Sequence, residues 1–168
     1  MGKLKRLSIL LALLAASALC FANQISFQIV QHDESLDSVS EDSMTIEDSL
    51  LNDFFEYGFI VTNSDAAVSN SSAQDERLFK IGQGDAFNGY SDYFVQIKLF
   101  YERSDQTITQ SSDLKKIDFI IASPKTGAKI AEKSINDIKI DPGKKNNLVK
   151  ISSELVNQIH KALKGKKA

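Results

Sequence analysis

The sequence predicts a single α+β domain in the order β-α-β-α-β-β-β-α, with a mixed sheet and helices packed mainly on one face. Three observations predict it. Apolar residues alternate with period two at residues 25–29, 93–101 and 117–121. They recur at helical spacing at residues 46–55 and 148–163. The two patterns are interleaved along the chain rather than segregated into halves.

In chain order, Ile25, Phe27 and Ile29 alternate with Ser26 and Gln28, as in a half-buried strand. Residues 31–44 are dominated by Asp, Glu and Ser and read as a mobile acidic loop. Thr45 and Asp48 resemble a capping box ahead of Ile46, Leu50, Leu51, Phe54 and Phe55. Gly58 is placed to close that helix, and Phe59-Ile60-Val61 come next as a short buried strand. Residues 63–73 read as a surface loop. A short helix is expected over 74–81 with Leu78, Phe79 and Ile81 inward, and Gly82, Gly84 and Gly89 loosen the stretch before the next strand.

The clearest strand places Tyr93, Val95, Ile97, Leu99 and Tyr101 on one face and Phe94 and Phe100 on the other. After a polar connection at 103–113, Ile117, Phe119 and Ile121 form the next strand. Ser123-Pro124-Lys125-Thr126-Gly127 then turns into a strand over 128–135, extended by Ile138 and Ile140. Asp141-Pro142-Gly143 turns the chain into the last helix, whose stripe is Leu148, Ile151, Leu155, Ile159 and Leu163.

The first residues speak of export. Lys3, Lys5 and Arg6 precede an uncharged Leu- and Ala-rich run over 7–22, shorter than the roughly 20 residues of a membrane span. Cys20-Phe21-Ala22 puts small residues where a signal peptidase reads. Residues 1–22 are therefore expected to be a signal peptide, and residues 23–168 an exported, periplasmic domain. The alternative is a lipid anchor on Cys20, although Leu19 stands where a lipobox has a small residue. Cys20 is the sole cysteine, so cleavage before Asn23 leaves neither disulfide nor thiol chemistry.

Charge is divided along the chain. Residues 23–113 carry 17 acidic and 4 basic side chains, a net of −13, and residues 114–168 carry 5 and 13, a net of +8. Such halves attract one another within one fold. No catalytic constellation stands out: there is no nucleophile elbow, and Gly82-Gln83-Gly84 lacks the third glycine of a dinucleotide fingerprint. Neither a cofactor nor a metal site is expected. His32 reads as an exposed loop histidine, and His160 as a cation favoured by a helix C-terminus.

The acidic run Asp33, Glu34, Asp37, Glu41 and Asp42 lacks the spacing of a calcium loop and is the candidate partner-binding segment. Export and overall acidity argue against nucleic acid. Membrane contact would require lipid on Cys20 or the basic tail of Lys161, Lys164, Lys166 and Lys167.

Three short motifs carry a family resemblance over most of residues 25–163. They are the helix running into Gly58-Phe59-Ile60-Val61, then Ser91-Asp92-Tyr93-Phe94-Val95, then Ile117-Asp118-Phe119-Ile120-Ile121 with Thr126-Gly127 after it. The chain resembles the anticodon-binding-domain-like modules of the bacterial envelope, a group that includes the TolB amino-terminal domain, CsgG and the lipoprotein activators of penicillin-binding proteins. It departs from them in lacking a convincing lipobox, a propeller after the domain and a barrel-forming hairpin. The resemblance implies a non-enzymatic periplasmic module that docks onto another envelope protein. The other class compatible with the sequence is a small-ligand, cation or wall-polymer binder, or an enzyme of unrecognised type.

Overall fold

The computed structural model describes residues 22–103, 112–138 and 145–165. The expected leader, most of the polar connection at 103–113, Ile140, the Asp141-Pro142-Gly143 turn, Lys166 and Lys167 lie outside the described residues. The elements occur in the expected order: β1 (Gln24–His32), α1 (Glu41–Glu56), β2 (Ile60–Val68), α2 (Ser72–Asn88), β3 (Tyr93–Arg103), β4 (Ser112–Ala122), β5 (Lys129–Ile135) and α3 (Lys145–Lys164). One five-stranded sheet runs β2-β1-β3-β4-β5. β1 is parallel to both β2 and β3, while β3, β4 and β5 are antiparallel neighbours, so the sheet is mixed.

Two helices cover one face. Ile25, Phe27 and Ile29 of β1 join Val95, Ile97 and Leu99 of β3 beneath Ile46, Leu50 and Phe54 of α1 and Leu155, Val156 and Ile159 of α3. Phe27 and Phe54 meet with ring centroids 5.7 Å apart. The apolar stripe of α3 falls as its spacing predicts, with Leu148, Leu155, Ile159 and Leu163 buried and Ile151 half-buried.

α2 alone lies on the other face. Phe79 packs edge-on to Phe94 at 5.4 Å. A Cβ on Gly82 would come within 2.6 Å of the Phe94 ring, so glycine is what lets this helix sit against the sheet. β1 is thereby buried on both faces, and Ser26 and Gln28, expected on a solvated face, are buried too.

Four boundaries differ from expectation. α1 starts at Glu41, capped by Ser40, whose side chain accepts from the Ser43 amide; Thr45 is interior and donates to the Glu41 carbonyl. The acidic loop is correspondingly shorter, because β1 runs to His32 and α1 claims residues 41–44. β2 continues to Val68 through residues read as loop, since an edge strand needs backbone pairing with β1 but not apolar side chains on both faces. α2 spans Ser72–Asn88, takes Gly82 and Gly84 into its interior, and leaves Ile81 exposed. Phe55 is likewise exposed on the outer side of α1.

Candidate functional site

The carboxyl ends of three parallel strands share one end of the sheet: β1 stops at His32, β2 at Val68, and His32 pairs with Phe100 of β3. The chain leaves β1 for α1 on one face, and leaves the neighbouring β2 for α2 on the opposite face. Diverging connections of adjacent parallel strands open a crevice beyond the strand ends. Here it is a cavity of about 650 Å3, lined by His32, Asp33, Glu34 and Ser35 after β1, Ser69 and Asn70 after β2, and Phe100, Tyr101 and Glu102 of β3. Three carboxylates and no lysine or arginine stand among these lining residues, so the cavity favours positive charge.

Asp33 is the deepest of the three carboxylates, with 4% of its surface exposed. Its Oδ1 accepts from the Ser35 amide (2.9 Å) and hydroxyl (2.6 Å), and its Oδ2 has no hydrogen-bond partner among the described residues. Buried Gln31 ties down the segment between β1 and α1. Its Oε1 accepts from the Ser40 amide and the Ser43 hydroxyl, both at 2.8 Å, and its Nε2 donates to the Ser38 carbonyl. The Tyr101 hydroxyl is 2.9 Å from Ser43 Oγ; burial pushes its pKa up to about 12, against the pull of the Ser43 and Ser40 hydroxyls.

A polar cluster flanks the cavity beneath the first turn of α2. Ser69 donates to Asp75 Oδ1, and Lys98 donates to Asp75 Oδ2 at 2.9 Å. His32 Nε2 lies 3.1 Å from Asp75 Oδ1 without the alignment of a hydrogen bond, while its ring stacks on Phe100 at 4.4 Å. Burial would raise the Asp75 carboxyl, but Ser69, Lys98 and His32 outweigh it and hold it below the usual value. For His32, burial dominates over the lift from Asp75, and the imidazole stays below its ordinary pKa. The serine, histidine and aspartate do not form a nucleophile relay: Ser69 is buried and bonded directly to Asp75, and the imidazole does not stand between them. Among the described residues no group of three or more His, Cys, Asp or Glu is placed to hold a metal ion.

A family model described as "Uncharacterised protein" matches residues 24–164. The chain belongs to that family. No curated protein matches it. Among solved structures, protein XCC0632 from Xanthomonas campestris, assigned to DUF330, is similar at TM-score 0.51 and 12% identity, covering 88% of this chain and 89% of that one. Lipoprotein GNA1162 from Neisseria meningitidis gives TM-score 0.44 and 14% identity, over 83% of this chain and 99% of that one. The PelC dodecamer from Paraburkholderia phytofirmans gives TM-score 0.43 and 10% identity, over 84% and 87%. The likeness to XCC0632 shows that the α+β fold is shared. At such identity it does not extend to the particular envelope group that the three sequence motifs resemble.

In this family member the five candidate partner-binding residues do not form one loop. Glu34 and Asp37 are exposed between β1 and α1, Asp33 is buried at the cavity wall, and Glu41 and Asp42 occupy the first turn of α1. All five nonetheless stand at the cavity end of the sheet.

The two histidines differ from expectation. His32 belongs to β1 rather than a loop, and is packed between Phe100 and Asp75. His160 packs edge-on to Tyr57 and Phe59; burial, helped by nearby Lys164, lowers its pKa and overrides the helix end. Gln31, Ser69, Asp75 and Lys98 carry no motif that marks them in the sequence. Their one signal in the sequence was polarity within otherwise apolar strands: Lys98 on the outward face of β3 and Gln31 near the end of β1.

Proposed function

We propose that this domain is a non-enzymatic interaction module of the cell envelope that docks, through the acidic mouth of the strand-end cavity, onto a basic surface of another envelope protein. One observation carries this: Glu34, Asp37 and Glu102 are exposed at that end with no ion-pair partner among the described residues, around a cavity whose wall holds a further buried carboxylate. Unpaired carboxylates on one end accelerate encounter with a basic partner and set its orientation. The leader pattern at residues 1–22 supports an envelope location, and the motif resemblance supports docking there rather than catalysis. The test is a pull-down from envelopes with immobilised chain, comparing wild type with Glu34→Gln/Asp37→Asn/Glu102→Gln. A basic protein retained at low salt by wild type and lost from the variant supports docking; an identical captured set from both contradicts it.

Asp33 Oδ2 favours a second reading, in which the cavity takes a small organic cation. A small amine that raises the melting temperature of wild type but not of Asp33→Asn, with no protein captured, would select that reading.

A further inference from the structure

We propose that the opposite end of the domain, at the amino ends of the parallel strands, rests on an anionic lipid surface. The three strands open together at this end, where Gln24 pairs with Ile60 and Ile25 with Tyr93. The last turn of α1 brings Phe55 here, its cap is Tyr57, and the last turn of α2 with the turn after it brings Phe87 and Tyr90. Among the described residues these are the four exposed aromatic side chains, and all four lie at this end; Tyr90 is 85% exposed and Phe55 72%. Ile60 beside them is also exposed. Rings carrying a polar tip, next to apolar ones, suit the boundary between lipid headgroups and acyl chains.

Charge points to lipid rather than to a protein. His160 against Tyr57 and Phe59 fixes the carboxyl end of α3 here, with Lys161 and Lys164 in its last turn and Lys166 and Lys167 next in sequence. Lys125 adds to them, although it lies 3.6 Å from Asp92; Glu56 and Asp85 are exposed acids in the last turns of α1 and α2, and Asp53 is buried and bonded to Ser153. Lysines near an anionic surface each strengthen binding about fivefold. The acidic residues around the cavity stand at the far end, so the molecule is oriented with the cavity's carboxylates away from the lipid. None of the residues of the acidic end takes part, so docking there and lipid contact here can fail separately.

The experiment is flotation of the chain of residues 23–168, which holds every element of the fold, with phosphatidylcholine vesicles with and without phosphatidylglycerol. Wild type is expected to float with the anionic vesicles and far less with the neutral ones. Lys161→Gln/Lys164→Gln should weaken that binding by roughly 25-fold. Phe55→Ser and Tyr90→Ser should each weaken it by roughly tenfold, with the thermal unfolding of these exposed-site variants unchanged. The proposal is overturned if wild type ignores anionic vesicles, or if both classes of variant bind like wild type. It is equally overturned if Phe55→Ser and Tyr90→Ser instead dissociate a dimer of the chain while vesicle binding persists, which would make this end an interface between copies.

Discussion

Adding one methyl group at two glycines two residues apart should stabilise the protein at one position and not at the other. Gly82 and Gly84 both lie inside α2, and replacing glycine by alanine in a helix interior gains about 1 kcal/mol of intrinsic propensity at either position. The surroundings differ. At Gly84 a new Cβ meets nothing within 4 Å. At Gly82 it would lie 2.6 and 2.8 Å from two Phe94 ring carbons and 3.1 Å from Gln28 Oε1. Phe94 is fully buried and cannot swing away, so the helix must lift or the ring must leave its rotamer, at about 1–3 kcal/mol. Gly84→Ala should therefore stabilise by about 1 kcal/mol, and Gly82→Ala should range from neutral to about 2 kcal/mol destabilised. With a urea slope of about 2 kcal/mol/M, their midpoints should differ by roughly 0.5–1.5 M. Phe94→Leu should relieve part of the Gly82→Ala penalty when the two are combined. Equal stabilisation by both alanines would show that α2 does not pack on Phe94 through Gly82, and the two-sided burial of β1 would lose its support.

Leu155→Ala should cost about 2–5 kcal/mol in urea unfolding, because Leu155 is fully buried between α3 and the sheet; a loss under about 0.5 kcal/mol would place the wrong face of α3 inward. Neutralising Glu34 and Asp37 should leave unfolding unchanged, whereas Glu41→Gln/Asp42→Asn should cost about 0.3–1 kcal/mol per residue through the α1 dipole; equal effects of the two pairs would contradict the helix start at Glu41. Acidification should destabilise the fold from about pH 6.5 downward. Burial holds His32 and His160 below their ordinary pKa, so in that window the unfolded chain binds more protons than the folded one. Asp75 adds to the loss at lower pH, as protons reach its depressed carboxyl, while the raised carboxyl of Asp53 opposes it. Urea midpoints at about pH 7.5 and about pH 5.5 should fall with acid in wild type and fall less in His32→Gln/His160→Gln; parallel slopes would refute the assignment.

Element order and the main core were legible because period-two and period-3.6 apolar patterns are local properties. Tyr93 to Tyr101 and Leu148 to Leu163 needed no tertiary information. β2 was legible only at its first residues, since an edge strand is held by its backbone and Thr62, Asn63 and Asp65 carry no apolar signature. α2 was cut short for a different reason: Gly82 is a helix breaker by propensity, and its value appears only when the Phe94 ring lies opposite. The candidate site was half legible. The charge of Asp33, Glu34 and Asp37 could be counted, but their convergence with Glu102 depends on β1 and β3 being parallel neighbours, far apart in sequence. The same holds for Asp75 with Lys98 and His32.

Site-specific photo-crosslinking in intact envelopes tests the central claim most directly. A photoreactive residue in place of Glu34, Asp37 or Glu102 should give one shared adduct that fades as salt rises, while the same residue in place of Lys133, on the exposed side of β5, should give none. No adduct from the three acidic-end positions, or the same adducts from Lys133, would contradict docking through the acidic mouth of the cavity.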